Sequence, residues 1–138
     1  MSYLVDANVL CEATRPQAAP SVLAWLAEHD AELLVSVITL GEILKGILLL
    51  PSGTKRRRLE AWLGELESSF EGRVLPVDRA VMSEWAGLYA QHQRAGRLLS
   101  SFDSLLAATA RIHGLTIATR NRSDFPADQS LVNPWDDS

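Results

Sequence analysis

The run Tyr3-Leu4-Val5 is apolar, β-leaning and unbroken, and it stops abruptly at Asp6. A run of this kind reads as a strand covered on both faces. Asn8 follows two residues on, with helix-compatible residues behind it, so the chain turns from strand to helix with an acid at the turn. In an open α/β sheet the ligand site lies beyond the carboxyl ends of the strands. Asp6 is thus a candidate site residue, on condition that other polar groups converge on the same edge.

The rest of the chain keeps alternating in this way. Ala7–Glu12 predicts a short helix closed by Arg15-Pro16, and Pro20-Ser21 opens a second with Val22, Trp25 and Leu26 on one face. A strand is expected over 33–37, then a helix with Leu40, Ile43, Leu44, Ile47 and Leu48 as its apolar face. After the break Pro51-Ser52-Gly53, residues 54–70 read as a long amphipathic helix with Leu59, Trp62, Leu63, Leu66 and Phe70 at helical spacing. A strand over 73–77 leads to Asp78, the cap of a helix ending near Gly96. Ser100-Ser101-Phe102-Asp103 introduces a helix over 104–113, stopped by Gly114. Residues 115–118 form a strand, 119–124 a polar loop, and Leu131–Val132 a last short strand. This alternation predicts an α/β fold in three layers: a central parallel sheet of four or five strands, the first one in the middle, with helices on both faces.

Residues 1–138, of which 47% are hydrophobic and 22% charged, are expected to form a single domain with a proper core. One cysteine, Cys11, excludes an internal disulfide framework and fits a reducing compartment. The apolar run Ile47-Leu48-Leu49-Leu50 is cut at Pro51, well short of the roughly 18 residues of a membrane span. The first strand begins at once and leaves no room for a signal peptide, so a cytoplasmic protein is expected. The net charge of −4 argues against a global basic field of the kind that marks a nucleic-acid binder. The basic residues are nonetheless uneven: Lys55-Arg56-Arg57-Arg58 is one cluster, and Arg120 with Arg122 a second. The plain reading of the first cluster is a solvated helix face.

Three acids, Asp6, Glu42 and Asp103, fall just after a strand or at a helix start, and Asp124 lies in the loop after the strand 115–118. Each has a structural explanation. Thr39-x-x-Glu42 matches a capping box, Ser100-x-x-Asp103 is close to one, Asp6 can cap its helix and Asp124 can shape a turn. Doubly wound topology, however, brings all four to one edge. Carboxylates at close range repel and part of them protonate unless a cation compensates. Helix N-termini offset some of the repulsion, and a divalent metal offsets more. Oxygen-only ligands suit Mg²⁺ or Mn²⁺ and argue against zinc. His29, His92 and His113 lack ligand spacing and read as surface or packing residues. A carboxylate-held Mg²⁺ with water attached is an arrangement suited to attack on a phosphodiester, and there is no glycine-rich phosphate loop.

Taken in order, the motifs resemble the PIN-domain ribonuclease toxins of the VapC family, most closely the FitB-like branch. The resemblance rests on Leu4-Val5-Asp6-Ala7-Asn8-Val9-Leu10, Ser36-Val37-Ile38-Thr39-Leu40-Gly41-Glu42-Ile43 and Gly72-Arg73-Val74-Leu75-Pro76-Val77-Asp78. It continues through Asp103-Ser104-Leu105-Leu106-Ala107-Ala108-Thr109-Ala110, Thr119-Arg120-Asn121, Asp124-Phe125 and Asn133-Pro134-Trp135. It implies a Mg²⁺- or Mn²⁺-dependent endoribonuclease, the toxin half of a type II toxin–antitoxin module. The family's metal-binding acids match Asp6, Glu42, Asp103 and Asp124, and its polar supports match Asn8, Thr119 and Asn121. By that resemblance Asp6 and Asp103 hold the metal directly, while Glu42 and Asp124 complete the pocket and orient the attacking water. Ala7 stands where the family usually has threonine, and Cys11 where serine is common; Cys11 is read as a small buried side chain.

The resemblance also implies partners: an RNA substrate, a homodimer, and a cognate antitoxin with a ribbon-helix-helix part that reaches operator DNA, giving a heterotetramer or higher complex. Lys55, Arg56, Arg57, Arg58, Arg120 and Arg122 are then candidate RNA contacts. No membrane contact is expected. Other acid-bearing α/β folds fit poorly. A receiver domain needs a lysine after its last strand, whereas the two lysines here are Lys45 and Lys55, and a dehalogenase-type phosphatase needs Asp at position 8, which is Asn. The alternative of a different class is a PIN-fold module weakened in catalysis that acts by RNA or partner binding, for which the missing hydroxyl at Ala7 leaves room.

Overall fold

Strand order decides where everything else in this molecule lies. In the computed structural model, which describes residues 1–136, five parallel strands are arranged β3-β2-β1-β4-β5. They are β1 (Tyr3–Val5), β2 (Leu33–Ser36), β3 (Val74–Leu75), β4 (Thr116–Ala118) and β5 (Leu131–Val132). The first strand is central, as its unbroken apolar run predicts: Leu4 and Val5 have no exposure at all. From β1 the chain moves outward to β2 and β3, then returns across the sheet to β4. Between β1 and β4 the direction of winding reverses, and a crevice opens there beyond the carboxyl ends.

Side chains alternate across the sheet and sort into two cores. Val5, Leu33, Val35 and Ala118 face helices α1 (Ala7–Glu12), α2 (Pro20–Glu28), α3 (Val37–Leu48) and α4 (Thr54–Ser69). Leu4, Leu115 and Ile117 face the other way, with Leu88 of α5 (Arg79–Arg94) and Leu106, Ala107 and Ala110 of α6 (Ser101–His113). The small residues of α6 allow it to lie close against β4 and α5. Complete removal of a leucine such as Leu4 or Leu106 from water stabilises by about 1.5–3 kcal/mol each.

The helix ends follow the polar punctuation of the sequence. Asp78 Oδ1 accepts from the Val81 amide at 3.0 Å, and Gly114 closes α6 with φ +66°, a left-handed conformation that favours glycine. One expected boundary is wrong. Thr39 does not cap the third helix; Ser36 does, its Oγ accepting from the Ile38 amide at 3.0 Å, and the helix begins three residues earlier, at Val37. Ser36 is a single polar residue between Leu33-Leu34-Val35 and Val37-Ile38, so the β-branched residues behind it mask the cap. The apolar face of α3 is also narrower than its sequence suggests. Ile43 and Ile47 are buried, whereas Leu44 and Leu48 are 42% and 51% exposed. The loop 119–124 contains a short 3-10 turn, Arg122–Asp124, that the sequence does not announce. Among the described residues no helix is long and apolar enough to cross a membrane.

Candidate active site

All four acids lie at the edge where the carboxyl ends of β1 and β4 meet. Asp6 follows β1 directly, and its amide donates to the Ala118 carbonyl at 2.9 Å, extending the β1–β4 pairing by one step. The residue is only 7% exposed, and its carboxylate is held by three donors. Oδ1 accepts from the Ala7 amide at 2.8 Å, while Oδ2 accepts from the Thr119 hydroxyl at 2.8 Å and from Asn8 Nδ2 at 3.1 Å. A buried carboxylate needs such donors in place of water.

The supports are themselves tied. Thr119 Oγ1 accepts from the Asn121 amide at 3.1 Å and from Asn8 Nδ2 at 3.3 Å, so its one donor and both lone pairs are used. Asn8 Oδ1 accepts from the Arg120 amide at 3.1 Å, which joins the start of α1 to the loop after β4. The expected supporting residues thus take two forms. Thr119 and Asn8 act through their side chains, and Asn121 acts through its backbone amide.

Asp103 lies in the first turn of α6. Ser100 Oγ accepts from the Asp103 amide at 3.0 Å and donates to Asp103 Oδ2 at 2.7 Å, a reciprocal cap. Asp103 thus takes part in the cap of its own helix while its carboxylate feels the charges of the other acids. Burial raises its pKa above the ordinary carboxylate value, the Ser100 hydrogen bond opposes that, and the charges of Asp6 and Asp124 raise it further. Glu42 projects from the second turn of α3, and its pKa is likewise raised by burial, then by Asp6 and Asp103, with Lys45 pulling down. Two carboxylates from helices on opposite faces of the sheet thus feel Asp6 between them, and Asp103 also feels Asp124 from the loop after β4. Among the described residues, no three acidic, histidine or cysteine side chains stand in position to hold a metal ion between them. The acids share a field rather than close a cage.

The basic candidates divide. Arg56 is half-buried, donating to the Leu50 carbonyl at 3.3 Å and pairing with Glu60 at 3.8 Å, so it is committed to the chain's own structure. Arg57 is exposed beside Thr54. Lys55 and Arg58 line a cleft of about 500 Å³ with Arg15 at the end of α1. Arg120 lies 4.8 Å over the Trp135 ring, and both line a smaller cleft beside Asn8. Cys11 is half-buried rather than sequestered, facing an apolar cavity of about 220 Å³ shared with Ala7, Glu42, Ile47 and Trp62. Burial and the Asp6 charge push its thiol pKa up, away from reactive thiolate character. His29 stacks on Trp25 at 4.6 Å, a packing residue as expected. Sequence reasoning assigned nothing to residues 97–99, where Arg97 and Leu98 line a cleft with Arg122; the one signal is an apolar pair, Leu98-Leu99, in a polar turn after Gly96.

This geometry agrees with what the chain is similar to. The family model described as PIN domain matches residues 3–127. Toxin FitB of Neisseria gonorrhoeae is 38% identical over 137 residues, covering 97% of this chain and 99% of that one. VapC ribonuclease Y4jK of Sinorhizobium fredii is 36% identical over 139 residues, covering 96% and 97%. The solved structure of FitAB bound to an IR36 DNA fragment superposes with a TM-score of 0.89 at 34% identity, covering 96% of this chain and 95% of that one. The chain belongs to the PIN-domain family.

Proposed function

We propose that the protein is a metal-dependent endoribonuclease, the toxin of a toxin–antitoxin pair, with Asp6, Glu42, Asp103 and Asp124 as its catalytic acids. The observation that carries this reading is the convergence of those acids on one edge of the sheet, where burial first and the charges of their neighbours second raise the pKa of both Glu42 and Asp103. A fold gains nothing from such crowding. Kinship with a FitB toxin and a VapC ribonuclease supports the reaction class.

The donor set fits a hard divalent cation, Mg²⁺ or Mn²⁺. All donors are oxygens, and Mg²⁺ characteristically keeps several waters and takes one or two carboxylates, so a pair of acids suffices where the described residues form no cage of three. Asp6 and Asp103 would hold it. When bound, the cation acidifies water and offsets charge on the phosphate. The remaining steps belong to the chain. Thr119 and Asn8 fix the Asp6 carboxylate, and Ser100 orients Asp103 through Oδ2. Glu42, with its raised proton affinity, takes the proton from the attacking water, and Asp124 orients that water from the loop side.

The partners follow from the surface. The apolar cavity between α1, α3 and α4 ends at Glu42 and runs into the cleft edged by Arg15, Lys55 and Arg58. It suits an amphipathic antitoxin helix that places a guanidinium against Asp6, Glu42 and Asp103. Val37, Leu44 and Leu48 form a separate exposed stripe, about a third of a turn round α3, and suit a homodimer contact. The antitoxin's own DNA-binding part would bring operator DNA, as FitAB is seen with a DNA fragment.

The test is cleavage of a defined single-stranded RNA by purified protein with Mg²⁺, with chelator, and by Asp103→Asn. Cleavage that needs the metal and vanishes in the variant is expected. Binding without cleavage under all metals would leave the alternative, a PIN-fold module weakened in catalysis.

A further inference from the structure

A groove of about 620 Å³ opens between the end of α5, the segment 95–100 and the 3-10 turn Arg122–Asp124. Its size lies within the roughly 300–1,000 Å³ of ordinary ligand clefts. Arg97 stands on one wall and Arg122 on the other, with His92 between them at the end of α5. His92 Nδ1 lies 3.0 Å from the Leu88 carbonyl and must donate there, so the ring keeps Nε2 for the groove. The floor is apolar: Phe125 and Pro126 are buried, and Leu98 forms the rim at 93% exposure.

Two facts single this groove out. Its two arginines come from separate segments, and among the described residues neither Arg97 nor Arg122 forms an ion pair or a side-chain hydrogen bond; Lys55 and Arg58 are as unencumbered, but they lie together on one helix, α4, along the cleft given to the antitoxin. Chain connectivity also ties the groove to the acids at both ends. Arg122 shares a single turn with Asp124, and the segment holding Arg97 and Leu98 ends at Ser100, the residue that orients Asp103. A polyanion drawn toward four carboxylates is repelled unless fixed cations stand beside them, and a chain of net charge −4 has no global field to supply the attraction.

We propose that this groove is a substrate subsite that holds the nucleotide next to the scissile phosphodiester of single-stranded RNA. Arg97 and Arg122 take its backbone phosphate from opposite walls, and the Leu98–Phe125–Pro126 surface takes the base or sugar. The inference rests on reading the chain as a ribonuclease and adds where its substrate lies: toward α5 and the turn at Asp124, on the far side from the α3–α4 groove assigned to the antitoxin. A single strand fits this arrangement, since the base must leave its stack to meet an apolar floor.

The test is metal-free binding of a short labelled single-stranded RNA of mixed sequence, in chelator, over a salt series. Proteins compared are the unaltered chain, Arg97→Gln/Arg122→Gln, and Arg79→Gln, which removes a like charge at the opposite end of α5. Both groove arginines are exposed and unbonded, so their replacement leaves the fold intact. The double variant should bind several-fold more weakly at low salt, with a log–log salt slope shallower by about 1.4, since each phosphate contact on a single strand contributes about 0.7. Arg79→Gln should match the unaltered protein. Equal losses in both variants, or none in the double variant, overturn the subsite. Intact RNA binding with weakened hold on a co-produced antitoxin assigns the groove to the protein partner instead and equally overturns it. Failure of the ribonuclease reading looks different: RNA bound through the groove with this salt signature, yet cut under no metal.

Discussion

Thr119 donates its hydroxyl proton to Asp6 Oδ2 at 2.8 Å, a bond between residues 113 positions apart that the β1–β4 pairing brings side by side. Both groups are buried, and the same oxygen of Thr119 receives the Asn121 amide and the Asn8 side chain. Thr119→Val keeps the shape and removes all three contacts. An unsatisfied buried group costs about 1–3 kcal/mol, so chemical denaturation should show a loss of that order. Cleavage should fall as well, because Asp6 loses its orientation. Unchanged stability would mean that Asp6 is held by Ala7 and Asn8 alone.

Asp6 and Asp103 should respond oppositely to the same isosteric change. In Asp6→Asn one oxygen becomes an NH₂ group, and the hydrogen-bond inventory places a donor against Asn8 Nδ2 and the Thr119 hydroxyl. The metal-free protein should lose stability. Asp103→Asn keeps an oxygen for Ser100 and removes a charge disfavoured by its neighbours, so its melting temperature should equal or exceed that of the unaltered chain. Both variants should be inactive on RNA. Active Asp103→Asn would remove this residue from the catalytic set.

Stability of the metal-free protein should fall with rising pH through the window set by Glu42 and Asp103. Their folded pKa values lie above the ordinary values of 4.5 and 3.8. Between the ordinary and the raised value the native state holds more protons than the unfolded chain, so the slope of unfolding free energy against pH is negative there. The penalty is absent below the ordinary values and complete above the raised ones. Melting curves from about pH 4 to 8 in chelator, with Glu42→Gln/Asp103→Asn beside the unaltered chain, should show the negative contribution disappear in the double variant. Saturating Mg²⁺ should raise the unaltered chain's melting temperature at neutral pH and leave that variant unmoved.

Thr39 is fully buried in the first turn of α3, and its hydroxyl has no hydrogen-bond partner among the described residues. Replacing a buried hydroxyl that makes no bond with a methyl of the same shape removes a desolvation cost. Thr39→Val should stabilise by about 1 kcal/mol, read by urea denaturation. A loss instead would show that the hydroxyl is satisfied by a buried water.

Local chemistry determined the elements of this protein, and the sequence alone carries that chemistry. Tyr3-Leu4-Val5 has the apolar continuity of a strand covered on both faces, Asp78 and Ser100 have capping oxygens, and Gly114 is free to adopt the left-handed turn. Winding rules for strands and helices then suffice to place Asp6, Glu42, Asp103 and Asp124 on one edge. Three things were decided only by tertiary structure. The choice of Ser36 over Thr39 as cap depends on where β2 runs out of partners, since both residues offer a hydroxyl before a helix. The inequality of the basic residues, Arg56 tied down and Arg97 and Arg122 without a partner among the described residues, depends on which carbonyls and acids fold within their reach. The raised pKa values of Glu42 and Asp103 depend on burial and on charges from remote parts of the chain, quantities that have no value until the two faces of the sheet are closed.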